Sequence, residues 1–260
     1  MSAMERYSSP FINAFNDFLF PDVCCICGEV IGNFAHYGSE KIYFKSKYSR
    51  PVPSPFCQSC TQRLENNFEI QKRKIGKNFD QPSVFLFDYT DETVKRALMH
   101  IKTKECGKCR KFFAEIIKEP LKLLTYKYPS QNCCITHIPR SIQMMTKCGF
   151  DQSEQILRTY VRYGGEIAYF ETMVRLKTSS VQKKLSPDNR FINIRNSLSF
   201  IPNLPDNHVF DKPTQLTVIF DDIITTGATA QETARLMSSH GIKNMCFLFI
   251  AGTKKIIERS

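Results

Sequence analysis

Residues 216–229 read LTVIFDDIITTGAT. The first five are apolar or β-branched, a run that suits a buried strand and predicts one over 216–220. Asp221 and Asp222 follow where such a strand would end. Thr225, Thr226, Gly227, Ala228 and Thr229 then make a small-residue turn rich in hydroxyls, with Gly227 able to take positive φ. A helical pattern covers 230–239, and Gly241 stands where a C-terminal cap is expected. Free N–H groups at a helix start, joined by threonine hydroxyls, make an anion site at the positive end of the helix dipole. Adjacent carboxylates suit two cis hydroxyls of a ribose, or a Mg²⁺ ion bridging them. A 5′-phosphorylated ribose satisfies both halves at once.

Outward from this stretch, strand and helix patterns alternate. Strands are predicted over 83–89, 132–138, 168–176 and 245–250, and helices over 91–101, 111–124 (interrupted by Pro120) and 150–163. Thr90 or Asp91 caps the first of these helices. Such alternation gives an α/β fold, a largely parallel sheet flanked by helices, with ligands at the carboxyl ends of its strands. Residues 176–200 are polar without a sustained apolar period and read as a flap over that end.

Before residue 81 the chemistry changes. Cys24-Cys25-Ile26-Cys27 and Cys57-Gln58-Ser59-Cys60 supply two Cys-x-x-Cys knuckles, and two such pairs close a tetrahedral zinc site. Cys24 rather than Cys25 gives the correct spacing to Cys27. The 29 residues between Cys27 and Cys57 exceed the usual ribbon spacing, so the loop is expanded. The division expected is therefore 1–80, a short helix over 13–19 followed by the four-cysteine module, and 81–260, the larger α/β domain. Metal would supply much of the folding energy of so small a module. A third Cys-x-x-Cys, Cys106 with Cys109, could be a redox or metal pair, but with no second pair nearby in sequence it is read as structural, as are Cys133 and Cys134.

The chain is basic, with Lys+Arg 36 against Asp+Glu 25, a formal charge of +11 and a pI near 9.1. That excess points to polyanions, either nucleic acid or a phosphorylated ligand. The expanded loop interleaves rings and cations (Tyr37, Lys41, Tyr43, Lys45, Lys47, Tyr48), an arrangement that stacks bases while tracking phosphates of a single strand. Its alternative is a solvated insertion packed by its own rings. Residues 71–77 add charge in a linker or hairpin. Eleven cysteines without a secretory signal, and no run of about 20 apolar residues, predict a cytoplasmic protein with no membrane span.

The stretch 216–229 resembles the phosphoribosyl pyrophosphate (PRPP) loop of type I phosphoribosyltransferases. Purine-type members carry a third acid two residues before the glycine, where this chain has Thr225. Taken with the knuckles, the whole chain resembles the ComF family, which joins a four-cysteine zinc ribbon to a type I phosphoribosyltransferase domain. Leu98-Met99-His100-Ile101-Lys102, His137-Ile138-Pro139-Arg140, Gly149-Phe150-Asp151-Gln152 and the segment opening Lys177-Thr178-Ser179-Ser180 match further family segments. Cys148 and Asp151 replace an arginine and an asparagine of the family pattern, leaving Arg140 and Lys147 to meet pyrophosphate beside Pro139. The resemblance implies structural zinc, Mg²⁺, and PRPP or ribose 5-phosphate as ligand. It also implies a role with single-stranded DNA in natural transformation, beside a DNA-translocation helicase. Lys177, Arg175 or Arg190 would fold over the site as a lid. The competing expectation is an active phosphoribosyltransferase of nucleotide metabolism, with Asp221, Asp222 and Lys177 catalytic.

Overall fold

The structure, a computed structural model, describes residues 22–31, 41–73, 81–176, 197–201 and 215–253. Expectations for the helix at 13–19, for Tyr37, Lys177 and Arg190, and for most of the flap lie outside these residues. A six-stranded sheet has the order β3 (Gln71–Arg73), β4 (Ser83–Asp88), β10 (Met245–Gly252), β9 (Leu216–Ile224), β5 (Cys133–His137), β6 (Ala168–Tyr169). All pairs are parallel except β3 with β4. The basic stretch after residue 70 thus starts as the antiparallel edge strand of a hairpin. β9 and β10 are buried along nearly their whole length, as expected of strands covered on both faces.

One face, carrying Val218 and Phe220, packs on α2 (Glu92–Thr103), α3 (Gly107–Ile116) and α6 (Gln152–Arg162) through Leu98, Phe112, Ile156 and Leu157. The other, carrying Ile219, Phe247 and Phe249, packs on α7 (Ala228–Ser239) and on a hairpin of β7 (Met173–Arg175) with β8 (Leu198–Phe200). The mixed, mostly parallel sheet between helices is the fold class that the alternation of patterns implied.

Three expectations are corrected. The strand at 216 does not stop before the acids: it pairs with β10 as far as Ile224, opposite Gly252, so Asp221 and Asp222 are strand residues. The stretch 168–176 divides into β6 and β7, which belong to different sheets, because Thr172 turns inward to hydrogen-bond Thr136 at 2.8 Å. The helix at 111–124 is two helices, α3 and α4 (Lys118–Thr125), broken at Ile117. Pro120 does not interrupt α4: it lies in the first turn, where its missing N–H has no intrahelical partner to lose. Part of the expanded loop is a hairpin, β1 (Tyr43–Ser46) with β2 (Ser49–Pro53), turning at Lys47 and Tyr48.

The cysteine segment does not stand apart from the sheet. Phe112 of α3 lies edge-on to Phe44 of β1 at 5.3 Å and to Phe56 at 5.2 Å, and Phe68 meets Phe44 and, from the sheet, Phe87, each at 5.2 Å. Cys24, Cys57, Cys60 and Leu64 of α1 (Gln58–Asn67) fall in the same continuous core as β4 and α3. Rings in this geometry add about 0.5–1.5 kcal/mol per pair beyond area burial.

Candidate functional site

The carboxyl end of β9 positions two acids in succession, and consecutive strand residues point to opposite faces. Asp222, 3% exposed, faces α2 and α6. Its Oδ2 accepts from Gln152 Nε2 at 2.7 Å and lies 3.1 Å from Lys102 Nζ. Asp221 is half-buried; its Oδ1 accepts from the Asp222 backbone N–H at 2.9 Å and from Ser153 Oγ at 3.4 Å. Desolvation, and then the neighbouring Asp222 charge, push the Asp221 carboxyl well above the ordinary range, with Lys102 opposing. Burial lowers the Lys102 pKa, but the charges of Asp222 and Asp221 outweigh it and hold the ammonium protonated above its usual range.

Beyond the acids β9 runs into Thr225, and Gly227 takes φ 77° at the N-cap of α7. That left-handed turn lets the helix begin at Ala228, two residues earlier than its apolar period indicates. A glycine cap has no side-chain oxygen for the first-turn amides; Thr226 Oγ1 meets the Ala228 N–H at 3.4 Å. A helix start without a capping side chain is a ready anion cradle. Thr225 is exposed, while Thr226 and Thr229 are half-buried around it.

β5 brings the second loop alongside, because the Ile138 N–H donates to Phe220 O at 3.0 Å. Pro139 O accepts from Arg175 Nε at 3.0 Å. Arg140 donates from Nη1 to Phe150 O at 3.1 Å and from Nη2 to Lys102 O at 2.9 Å, and its backbone N–H donates to Asp151 Oδ2 at 2.6 Å. Its guanidinium therefore ties the loop to the end of α2. Asp151 also caps α6, accepting from the Ser153 and Glu154 N–H groups. The acid at this position is a helix cap, a role asparagine serves equally. Lys147 is exposed on α5 (Ile142–Cys148), which ends at Gly149 with φ 78°. Beneath the loop, His137 is buried between Tyr169 OH, 3.0 Å from Nδ1, and Asp151, 3.7 Å from Nε2. Burial lowers its pKa against the pull of Asp151.

Cys24, Cys27, Cys57 and Cys60 converge, with their sulfurs within 4.8 Å of one another. Cys57 caps α1 and Cys60 lies in its first turn, while Gly28, at φ 78°, closes the first knuckle by donating to Cys24 O at 2.8 Å. The donor set fits a closed zinc site. On the hairpin, Lys41, Tyr43, Lys45 and Lys47 are exposed. Tyr48 differs: its ring lies edge-on to Phe68 at 6.0 Å, with Lys47 Nζ 5.0 Å above it.

Lys102, Gln152 and Ser153 contact the two acids, and sequence reasoning did not assign them to the candidate site. Two of the family-like segments contained Lys102 and Gln152, but nothing in spacing shows that both end on Asp222. A cavity of about 510 Å³, lined by Lys118, Tyr126, Ser130 and Gly165 among others, opens before β5 and β6, at the opposite end of the sheet from the acids.

No family model matches this sequence, and no curated protein matches it. Among solved structures, the chain is similar to a hypoxanthine phosphoribosyltransferase from Staphylococcus aureus, at 15% identity and a TM-score of 0.32. The superposition covers 60% of this chain and 71% of that one. So loose an overlap transfers no residue and no activity.

Two outcomes are expected from the acids. Lys102→Met strands Asp222 in a buried site, and breaking such a pair costs about 3–5 kcal/mol, with the lower end expected because Lys102 is 24% exposed. Urea unfolding should show that loss, and Asp222→Asn in the same chain should recover most of it. Asp221 gives a pH signature. Its folded pKa is raised, so between the ordinary carboxylate value near 4 and the folded value the native state holds the extra proton and stability falls as pH rises. Asp221→Asn removes that cost. In magnesium-free buffer it should raise Tm at neutral pH, and the gain should shrink to nothing as pH approaches 4. An equal gain at both pH values would show that charge is not its cause.

Proposed function

We propose that the chain is a ComF-type protein that binds PRPP, or a related ribose 5-phosphate, and handles single-stranded DNA during DNA uptake. The observation carrying the first half is the run from Asp221 and Asp222, at the carboxyl end of a central parallel strand, into a glycine-capped helix. The 5-phosphate takes the turn 225–229 and the first amides of α7, and the ribose hydroxyls take Asp221 and Asp222. The protonated tendency of Asp221 and the engaged state of Asp222 suit hydroxyl recognition, because one oxygen can donate while others accept.

The donors at this end are carboxylate oxygens, which fit Mg²⁺; carried by the pyrophosphate, the ion would offset negative charge on the leaving group. Pro139, Arg140 and Lys147 border the pyrophosphate. Arg140 acts mainly through its charge, since two of its donors hold backbone carbonyls. Of the three lid candidates, Arg175 is held on β7 by Pro139 O, which leaves Lys177 or Arg190 as the cation proposed for a lid. Thr225 stands where an acid would serve a purine base, so the binding role is preferred over transfer to such an acceptor. Zinc on Cys24, Cys27, Cys57 and Cys60 is structural, and the parts before and after residue 81 take the DNA and the ribose phosphate respectively, although they share one core.

Calorimetry should show PRPP binding in the presence of Mg²⁺, abolished in Asp221→Ala/Asp222→Ala, which should still unfold cooperatively but at a lower temperature because Lys102 loses its partner. Wild-type affinity in the double variant places the ribose elsewhere. Pyrophosphate release from PRPP with a nucleobase or DNA would replace the binding role by an active transferase.

The exposed cations and Tyr43 on the β1–β2 hairpin favour the DNA half, with a DNA-translocation helicase as the companion it implies. Fluorescence anisotropy with a labelled oligonucleotide should give affinity falling with salt, at about −0.7 in the log–log slope for each phosphate contact. Tyr43→Ala should cost about 1–3 kcal/mol, whereas replacing Lys41, Lys45 and Lys47 should flatten the slope. Salt-independent binding, or none at low salt, removes DNA from the account.

A further inference from the structure

Cys25 does not join its neighbour Cys24. Its sulfur points the other way, to Cys109 Sγ at 3.3 Å and Cys106 Sγ at 3.9 Å. With a ring nitrogen of His100, these three sulfurs form a second group whose donor atoms all lie within 4.8 Å of one another. Cys106 is the N-cap of α3, and its sulfur accepts the Cys109 backbone N–H at 3.5 Å, the bond that orients a metal-binding knuckle. His100 comes from the last turn of α2, only a short connection away. Cys109 is buried and the other three are half-buried, so the group is shielded but reachable.

Chemistry narrows what this arrangement is for. A disulfide needs about 2.05 Å between sulfurs, and all three cysteines are free. A tetrahedral ion with metal–sulfur bonds of about 2.3 Å holds its sulfurs roughly 3.8 Å apart, which the 3.3 and 3.9 Å separations bracket. Three thiols and an imidazole supply four protein ligands and leave no open position. That donor set selects zinc in a structural role.

We infer that Cys25, His100, Cys106 and Cys109 form a second zinc site, separate from the four-cysteine site and joining the N-terminal turn to α2 and α3. Among the described residues, the other polar tie between the turn and α3 is the ion pair of Asp22 with Lys108, 2.5 Å long but exposed on both sides and therefore worth little. The adjacent cysteines Cys24 and Cys25 place one turn between two metals. His100 lies two residues before Lys102, so the ion also fixes the end of α2 that carries Lys102 to Asp222.

Metal content settles it. Full-length protein, purified without chelator, should carry about two zinc ions per chain by elemental analysis. Cys106→Ser/Cys109→Ser and Cys57→Ser/Cys60→Ser should each retain one, and the combined variant none. One zinc in the wild type, undiminished in Cys106→Ser/Cys109→Ser, overturns the second site while leaving the first intact. Should that variant be insoluble, zinc-stripped wild type is titrated with cobalt(II). Visible tetrahedral bands rising through two equivalents support the proposal, and saturation at one overturns it. A Cys25–Cys109 or Cys106–Cys109 disulfide in protein isolated from cells overturns it as well.

Discussion

Two carboxylates side by side at the half-buried end of a central strand are the constraint around which this molecule is arranged. Burial and the neighbouring Asp222 charge both disfavour an ionised Asp221. The chain answers with donors from separate elements: Lys102 from α2, Gln152 and Ser153 from α6, and the Asp222 backbone itself. Those elements are in turn held by Arg140, which bridges the end of α2 to the loop before α6, and by Asp151, which caps α6 and accepts from the Arg140 backbone. A sheet needing only a core would have another apolar pair at these positions. Two acids with this much polar support are what the proposed ribose site rests on.

How far the sequence revealed this depends on the kind of interaction. The strand before the acids, the turn with Gly227 and the helix after it follow from local rules of periodicity and backbone freedom, and all three form. Where the strand ends is a pairing matter: β9 continues through Asp221 and Asp222 because β10 is still there to pair with. No local pattern holds that information. The split of 168–176 has the same origin: Thr172 turns inward to Thr136, and the residues after it pair with β8 instead of β5. Pro120 misled in the other direction, its cost depending wholly on whether the helix has already begun.

Cysteine spacing shows the same limit. Cys24, Cys27, Cys57 and Cys60 could be grouped because each knuckle sits within four residues, and they do converge. The pair Cys106 and Cys109 had no partner in sequence, yet it finds Cys25 and His100 in space. Cys25 looked like a rejected rival of Cys24 when one site was being filled. Once the turn lies between α1 and α3, both cysteines have a destination, and their adjacency becomes a geometric requirement for reaching opposite sides of one turn.

The aromatic contacts explain why such a small cysteine segment can matter to a site on the sheet. Phe112 touches Phe44 and Phe56 on one side and stands on α3, which follows α2 after a short connection. A close-packed interior transmits displacement rather than absorbing it. Movement of the hairpin against α3 would therefore reach the end of α2, where Lys102 meets Asp222 and the Lys102 carbonyl receives Arg140. If the exposed face of that hairpin meets a polyanion, as proposed, the acids lie at the other end of a short packed chain.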